Sequence, residues 1–374
     1  MSLVYKPDWE ETKERYKAWW AGESLDRCCI WASAPRYDAP AEEPPEPPAR
    51  IEDRWLDSDY IGRVNDYNAR RTFYGGESFP LWYPGYPGWQ SHACFLGAYI
   101  DLKEATGWCG EIISDAELSS LDISNLVIAS DNHWWRLAKQ QLYDMVEQCR
   151  GKAIPSLGAF GGSGDTLAAI RGSYRLLLDL VDCPDAVREL EIYLMRQWCE
   201  IYDVFYGIVH EASEGSAGWF PLWAPGKFYA AQNDFSYMIS PKMMSDVFLP
   251  AIEMQTQFLD YVVYHVDGVA AFAHVDLLCE LPNLHAFQIL PGAGKPSPLT
   301  YLEVLRKVQS KGKNLHISVA SSEVEEALSL LSARGLFIEC YCDTEEQAQW
   351  VIKKAKELSR DRQIKSIAIA LVIV

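Results

Sequence analysis

His265 and Asp267 stand two residues apart in the run Val262-Val-Tyr-His-Val-Asp-Gly268. Valine and tyrosine favour a buried strand, and alternate strand residues share a face. An imidazole and a carboxylate therefore converge where the strand stops at Gly268. Asp234, Gln288 and the pair Cys340 and Cys342 fall at the ends of other predicted strands. Imidazole, carboxylate and thiolate groups arriving from separate elements can hold a zinc ion, and three of them leave one coordination position open for chemistry. His265, Asp267 and Cys342 supply such a set. Cys340 lies on the same strand face as Cys342, so the choice between the two thiols stays open. Without a metal, Asp234 and His265 form an acid–base pair, with capping of the following turn as the plainer role for Asp234. His274 and Asp276 repeat the His-x-Asp spacing nine residues on, at the start of a helical run. They read either as support for the first pair or as structural residues.

Two glycine-rich runs invite a phosphate reading. In Pro291-Gly-Ala-Gly-Lys295 the lysine is followed by Pro296, and the upstream glycine of a phosphate loop is missing, so that reading fails. Gly161-Gly-Ser-Gly-Asp165 opens a helix and reads as a turn, with anion binding at the helix N-terminus as the alternative.

The elements that must position these groups follow a strand-then-helix rhythm from about residue 150. Strands are predicted over 28–33, near 93–97, and over 153–159, 219–223 with 229–232, 261–266, 286–290, 314–319 and 336–341. Helices are predicted over 166–180, 184–207, 241–259, 301–309, 322–331 and 345–358. Ser240-Pro241 places a capping serine before a proline at the first helical position. An earlier helix starts at Asp8, with Glu11 completing a capping box, and ends at Gly22. The proline-rich segment 39–48 is an extended surface loop, and what precedes it is too small to fold alone. Alternation of this kind implies parallel strands with helical crossovers. The reading is one α/β domain over 1–374, a (β/α)8 TIM barrel with an N-terminal helical extension and no internal repeat. In such a barrel chemistry sits at the C-terminal strand ends.

Composition narrows the function classes. The formal charge is −18, from 34 basic and 52 acidic residues, a surface that repels nucleic acid and anionic lipid. There is no apolar run of membrane-spanning length; the tail 367–374 is short and reads as a last strand or packed tail. The charged, aromatic N-terminus is no signal peptide. Ten cysteines are too sparse for a disulfide scaffold and read as core thiols of a cytoplasmic protein. The 14 tryptophans and 20 tyrosines cluster around 82–89 and 219–237, where they either thicken the packing or line a pocket for a flat or cationic ligand.

Taken together, Asp234-Phe-Ser-Tyr-Met-Ile-Ser-Pro241 followed by a helix and then Tyr264-His-Val-Asp-Gly268 resembles the uroporphyrinogen decarboxylase superfamily. Asp26-Arg-Cys-Cys-Ile-Trp-Ala-Ser-Ala-Pro-Arg36 is similar to its first barrel strand and arginine loop. The resemblance implies a (β/α)8 barrel, commonly a homodimer. The decarboxylase branch is a poor match: the Phe-Ser-Asp segment is missing, and Arg36 alone matches among the arginines. The cobalamin-dependent methyltransferases are closer. Their zinc is held by His-x-Cys and a distant Cys, which map onto His265, Asp267 in place of the first Cys, and Cys342 or Cys340. Around His265 the match is closest to a His-x-Asp-Gly group of anaerobe proteins. This likeness implies a zinc-dependent methyltransferase of corrinoid metabolism that passes a methyl group to a thiol. Asp234 would orient the substrate, and Arg36, Trp223 and Gln288 would contact the cofactor. A separate partner protein would carry the cobalamin. The alternatives are a metal-free lyase or decarboxylase of a small carboxylic acid using Asp234 and His265, and a barrel that binds a small molecule without turnover.

Overall fold

The structure, a computed structural model, describes residues 3–85, 88–113 and 117–363. The tail 367–374, expected to be a strand or packed tail, lies outside them. Among the described residues seven strands form the central sheet: β1 Cys29–Pro35, β2 Thr72–Gly76, β3 Phe228–Gln232, β4 Tyr261–Asp267, β5 Ala286–Leu290, β6 Asn314–Ser318 and β7 Leu336–Tyr341. Their order is β2-β1-β7-β6-β5-β4-β3, parallel throughout except that β2 runs antiparallel to β1 at the edge. The class is mixed α/β, as the strand–helix alternation requires. Among the described residues the sheet does not close into the expected eight-stranded barrel. Where further strands were expected, Leu81–Trp82 pairs only briefly with Ile154–Pro155, and Ser216–Ala217 with Trp223–Ala224.

Side-chain alternation divides the sheet into two unlike faces. Ile30, Ala32, Tyr229, Ala231, Val262, Tyr264, Val266, Phe287, Ile289, Leu315, Ile317, Leu336, Ile338 and Cys340 belong to the larger core, shared with the flanking helices. The opposite face starts apolar at the N-terminal strand ends, with Cys29, Phe228, Val263, Ala286 and Phe337. Burying Phe337 alone stabilises the fold by roughly 1.5–3 kcal/mol. Helix Trp9–Trp20 packs on that end, its Trp9, Tyr16, Trp19 and Trp20 joining the same cluster. Trp19 Nε1 donates to the Gly335 carbonyl and Trp20 Nε1 to that of Trp223, both at 2.9 Å, so these two tryptophans bury their rings with their N–H groups satisfied. Farther along the strands the same face turns polar, with Gln232, His265, Gln288 and His316 at matched register on four neighbouring strands.

Several local expectations need correction. Segment 93–97 spans the end of a short buried helix, Ser91–Phe95, and the turn after it, and not a strand. A brief apolar run fits either element. Asp8 makes no side-chain cap to the first helix; its carboxylate instead accepts from Lys6 at 3.0 Å. The helix over 241–259 does start at Pro241, with Ser240 Oγ accepting from the Met243 N–H, but a π turn interrupts it at Met244–Phe248. Pro250, two residues after it, has no N–H to give to the carbonyl four residues back.

Candidate metal centre

Asp234, His265 and Asp267 bring one potential ligand atom each to a single spot, all within 4.8 Å of one another. Each owes its position to local chain chemistry. β4 puts His265 and Asp267 on the polar face of the sheet. It ends at Gly268, whose φ of +89° favours glycine, and a Cβ there would meet the Tyr237 ring at 2.8 Å. Asp234 opens the short turn Asp234–Met238 after β3. The capping role that competes for Asp234 falls to its neighbour: Asn233 Oδ1 accepts from the Ser236 N–H at 3.0 Å. That leaves the Asp234 carboxylate for the cluster.

A ring of buried partners holds these groups. His265 Nδ1 lies 2.5 Å from Gln288 Oε1; as a donor there it leaves Nε2 free to ligate. The Trp219 ring stands edge-on to the imidazole at 4.9 Å. Asp165 accepts from Gln232 Nε2 at 2.7 Å and from the Phe235 N–H at 3.1 Å, which pins the Asp234 turn from below. His274 Nε2 lies 3.0 Å from the Ser236 carbonyl and supports the same turn from the other side. Its presumed companion Asp276 is instead a surface residue, ion-paired with Lys307 at 2.7 Å.

Electrostatics favours a cation here. Burial and the neighbouring carboxylate of Asp267 raise the Asp234 carboxyl above its usual range, although Asp234 keeps an exposed edge. Burial and the charge of Asp234 likewise raise Asp165. Burial lowers the His265 imidazole, which keeps it neutral and able to bind a metal. Crowded carboxylates beside a neutral imidazole make a nitrogen–oxygen donor set suited to a divalent ion.

The cysteines do not join this set. Among the described residues the cluster contains no thiol. Cys340 and Cys342 do face the same way, with sulfurs 3.7 Å apart, but Cys340 packs in the helix-side core, away from His265. The strand residues on the His265 side are Glu339 and Tyr341. Trp223 is also displaced from its expected role: it is fully buried against Trp9 and Tyr16 at the N-terminal end, with Nε1 donating to the Ser213 carbonyl. Arg36 stands at a cleft rim with its guanidinium held by Asp38 at 2.8–3.0 Å. Gln288 alone of the three expected cofactor contacts touches the centre.

Glu339 was missed by sequence reading. It accepts from Tyr341 at 2.5 Å and lies 3.1 Å from His316 Nε2, forming a His–Glu–Tyr chain beside the Asp234–His265–Asp267 cluster. A charged residue inside the apolar run Leu-Phe-Ile-Glu-Cys-Tyr was the available signal.

The Gly161–Asp165 loop turns out to hold a carboxylate of this chain. Glu191, from helix Pro184–Ser213, accepts from the Gly164 N–H at 3.0 Å. Burial, aided by Asp165, raises its carboxyl from 4.5 to about 7. In the unfolded chain this group ionises near 4.5, whereas in the folded protein it stays protonated until about pH 7. Folding stability should therefore fall as pH rises through that window. Glu191→Gln is expected to stabilise the protein by roughly 1–3 kcal/mol at pH 8 and by far less at pH 5. Thermal melts of both proteins at the two pH values check this, and an equal effect at both would contradict it.

No protein-family model matches the sequence, and no curated protein matches it either. Solved structures do match: over 92% of this chain and 98% of the other, the fold is similar to that of a methyltransferase from Methanosarcina mazei, with a TM-score of 0.58 at 10% identity. That likeness establishes a shared fold.

Proposed function

We propose that this chain is a metal-dependent methyltransferase of corrinoid metabolism. The observation that carries the reading is the convergence of Asp234, His265 and Asp267 on a scaffold shared with a methyltransferase. A full (β/α)8 ring, a single domain over 1–374 and a homodimer belong to the same proposal. In support of the ring, the Leu157 N–H donates to the Ala217 carbonyl, and the Ser156 hydroxyl to that of Gly218, between the short strand pairs.

His265 Nε2 and the carboxylates of Asp234 and Asp267 would hold the ion, with Gln288 fixing the imidazole. Zinc is the ion we propose, although a set without thiolate also fits manganese or iron(II). When bound, the metal supplies Lewis acidity that lowers the pKa of an acceptor thiol or polarises an oxygen. Asp234, with its edge open to solvent, orients the acceptor, and Trp219 shields the imidazole from water. The neighbouring cleft of about 500 Å³ suits a small molecule, not a macrocycle, so the corrinoid is assigned to a separate carrier protein.

The test has two stages. Protein incubated with zinc, manganese or iron(II) and then desalted should retain about one ion per chain. The metal-loaded protein should then consume the methyl–cobalt absorbance of methylcobalamin when given small thiols. Failure to retain any of the three ions would end this reading. It would leave Asp234 and His265 as a metal-free acid–base pair, the arrangement a lyase of a small carboxylic acid would use.

A further inference from the structure

Beside the metal centre lies a cleft of about 500 Å³ whose walls include Trp31, Tyr74, Phe79, Tyr83 and Tyr341. The loop after Ser216–Ala217 joins the two places. Trp219 touches His265, Phe220 stacks on His316 at 5.5 Å, and Pro221 lines the cleft. Glu339 lies under the floor. It pairs in register with Trp31, and its carboxylate accepts the Tyr341 hydroxyl. Only 6% of Glu339 is exposed, and no lysine or arginine among the described residues pairs with it. His316, at 3.1 Å, is its basic neighbour among the described residues, and a cation approaching from the cleft side would further offset the cost of burying this charge. Because the Tyr341 proton points at Glu339, the outer lone pairs of that phenol oxygen face outward as acceptors. Aromatic faces above a negative charge attract ammonium groups.

The rim has the opposite character. Arg71 lines it, with its guanidinium laid over Tyr67 at 5.1 Å, and no carboxylate among the described residues pairs with it. Arg36 is neutralised by Asp38. The cleft is therefore electron-rich at its floor and cationic at its edge.

We propose that this cleft binds a small zwitterion, with its cationic nitrogen on the Trp31–Tyr341 floor above Glu339 and its carboxylate at Arg71. As a statement about substrate class this rests on the methyl-transfer reading; as a statement about binding it does not. The His316 bond supports it, because it helps hold Glu339 ionised despite burial that works the other way.

Calorimetric titration of the full chain with trimethylglycine tests the proposal. Two analogues serve as controls: 3,3-dimethylbutanoate, which replaces the cationic nitrogen by carbon, and choline, which lacks the carboxylate. Trimethylglycine should bind, and each analogue should bind about tenfold more weakly or worse. Glu339→Gln and Arg71→Ala should each cost about tenfold. Arg71 is a rim residue, so that variant keeps the test valid if Glu339→Gln fails to fold. Both variants should retain the metal content of the parent, which separates failure of the cleft from failure of the metal centre. No binding up to roughly 10 mM, equal binding of the carbon isostere, or an unchanged affinity for Arg71→Ala would each overturn the proposal.

Discussion

His265→Ala is expected to abolish metal binding, Gln288→Leu to weaken it roughly 10–100-fold, and Cys342→Ala to leave it unchanged. The ranking follows from geometry. His265 is the one nitrogen donor among the three converging groups, and without it only two carboxylates remain. Gln288 is not one of the converging groups; its Oε1, 2.5 Å from His265 Nδ1, would fix the imidazole and its tautomer, so leucine keeps the volume and frees the ring to rotate. Cys342 lies beyond β7, with its N–H given to the Ser33 carbonyl at 2.7 Å and its sulfur beside Cys340. Competition titration against a chromophoric chelator measures all three. Loss of the metal in Cys342→Ala would restore the thiolate site that the sequence pattern implies and overturn the oxygen-rich one.

That contrast also marks what the sequence could and could not disclose. The strand carrying His265 and Asp267 was legible because its valines and tyrosines have few other places to go, and the observed β4, Tyr261–Asp267, extends the predicted span by one residue. β7 and the last helix, Glu345–Leu358, match their predicted spans for the same reason: strong periodicity with clear ends. Period-two alternation also says correctly that Cys340 and Cys342 share a face. It does not say which face meets His265, since that depends on how strands three apart in the sheet are registered. The register places Gln288 and His316 in line with His265, and Glu339 and Tyr341 on the same side. Strand-end position pointed to the thiols, whereas the acid within the apolar strand marked the side of β7 that faces His265. Helices Ser58–Arg71 and His133–Cys149, and the antiparallel β2, went unread. They flank irregular segments whose turns obscure the period.

The second large effect concerns stability, away from the candidate metal centre. Glu77→Ala is expected to cost roughly 3–5 kcal/mol, the range for stripping one partner from a buried ion pair. Glu77 has no solvent exposure and joins three elements. Its carboxylate accepts from Arg27 Nη1 and Nη2 at 2.6 and 2.7 Å and from the Ile30 N–H at 2.6 Å at the start of β1. Its backbone carbonyl accepts from the Tyr16 hydroxyl of the N-terminal helix at 3.0 Å. Arg15 adds a longer ion pair at 3.5 Å. Alanine would strand the Arg27 guanidinium, itself only 8% exposed, and orphan the Ile30 N–H. The penalty is thus mainly that of an uncompensated charge and not the worth of the pair. If so, Arg27→Met combined with Glu77→Leu should cost clearly less than the two single changes added together. Urea denaturation gives each value as a shift in midpoint at constant slope. Strict additivity would show that the two side chains contribute independently, and the account of Glu77 as the tie between helix and sheet would then have to rest on its backbone bonds alone.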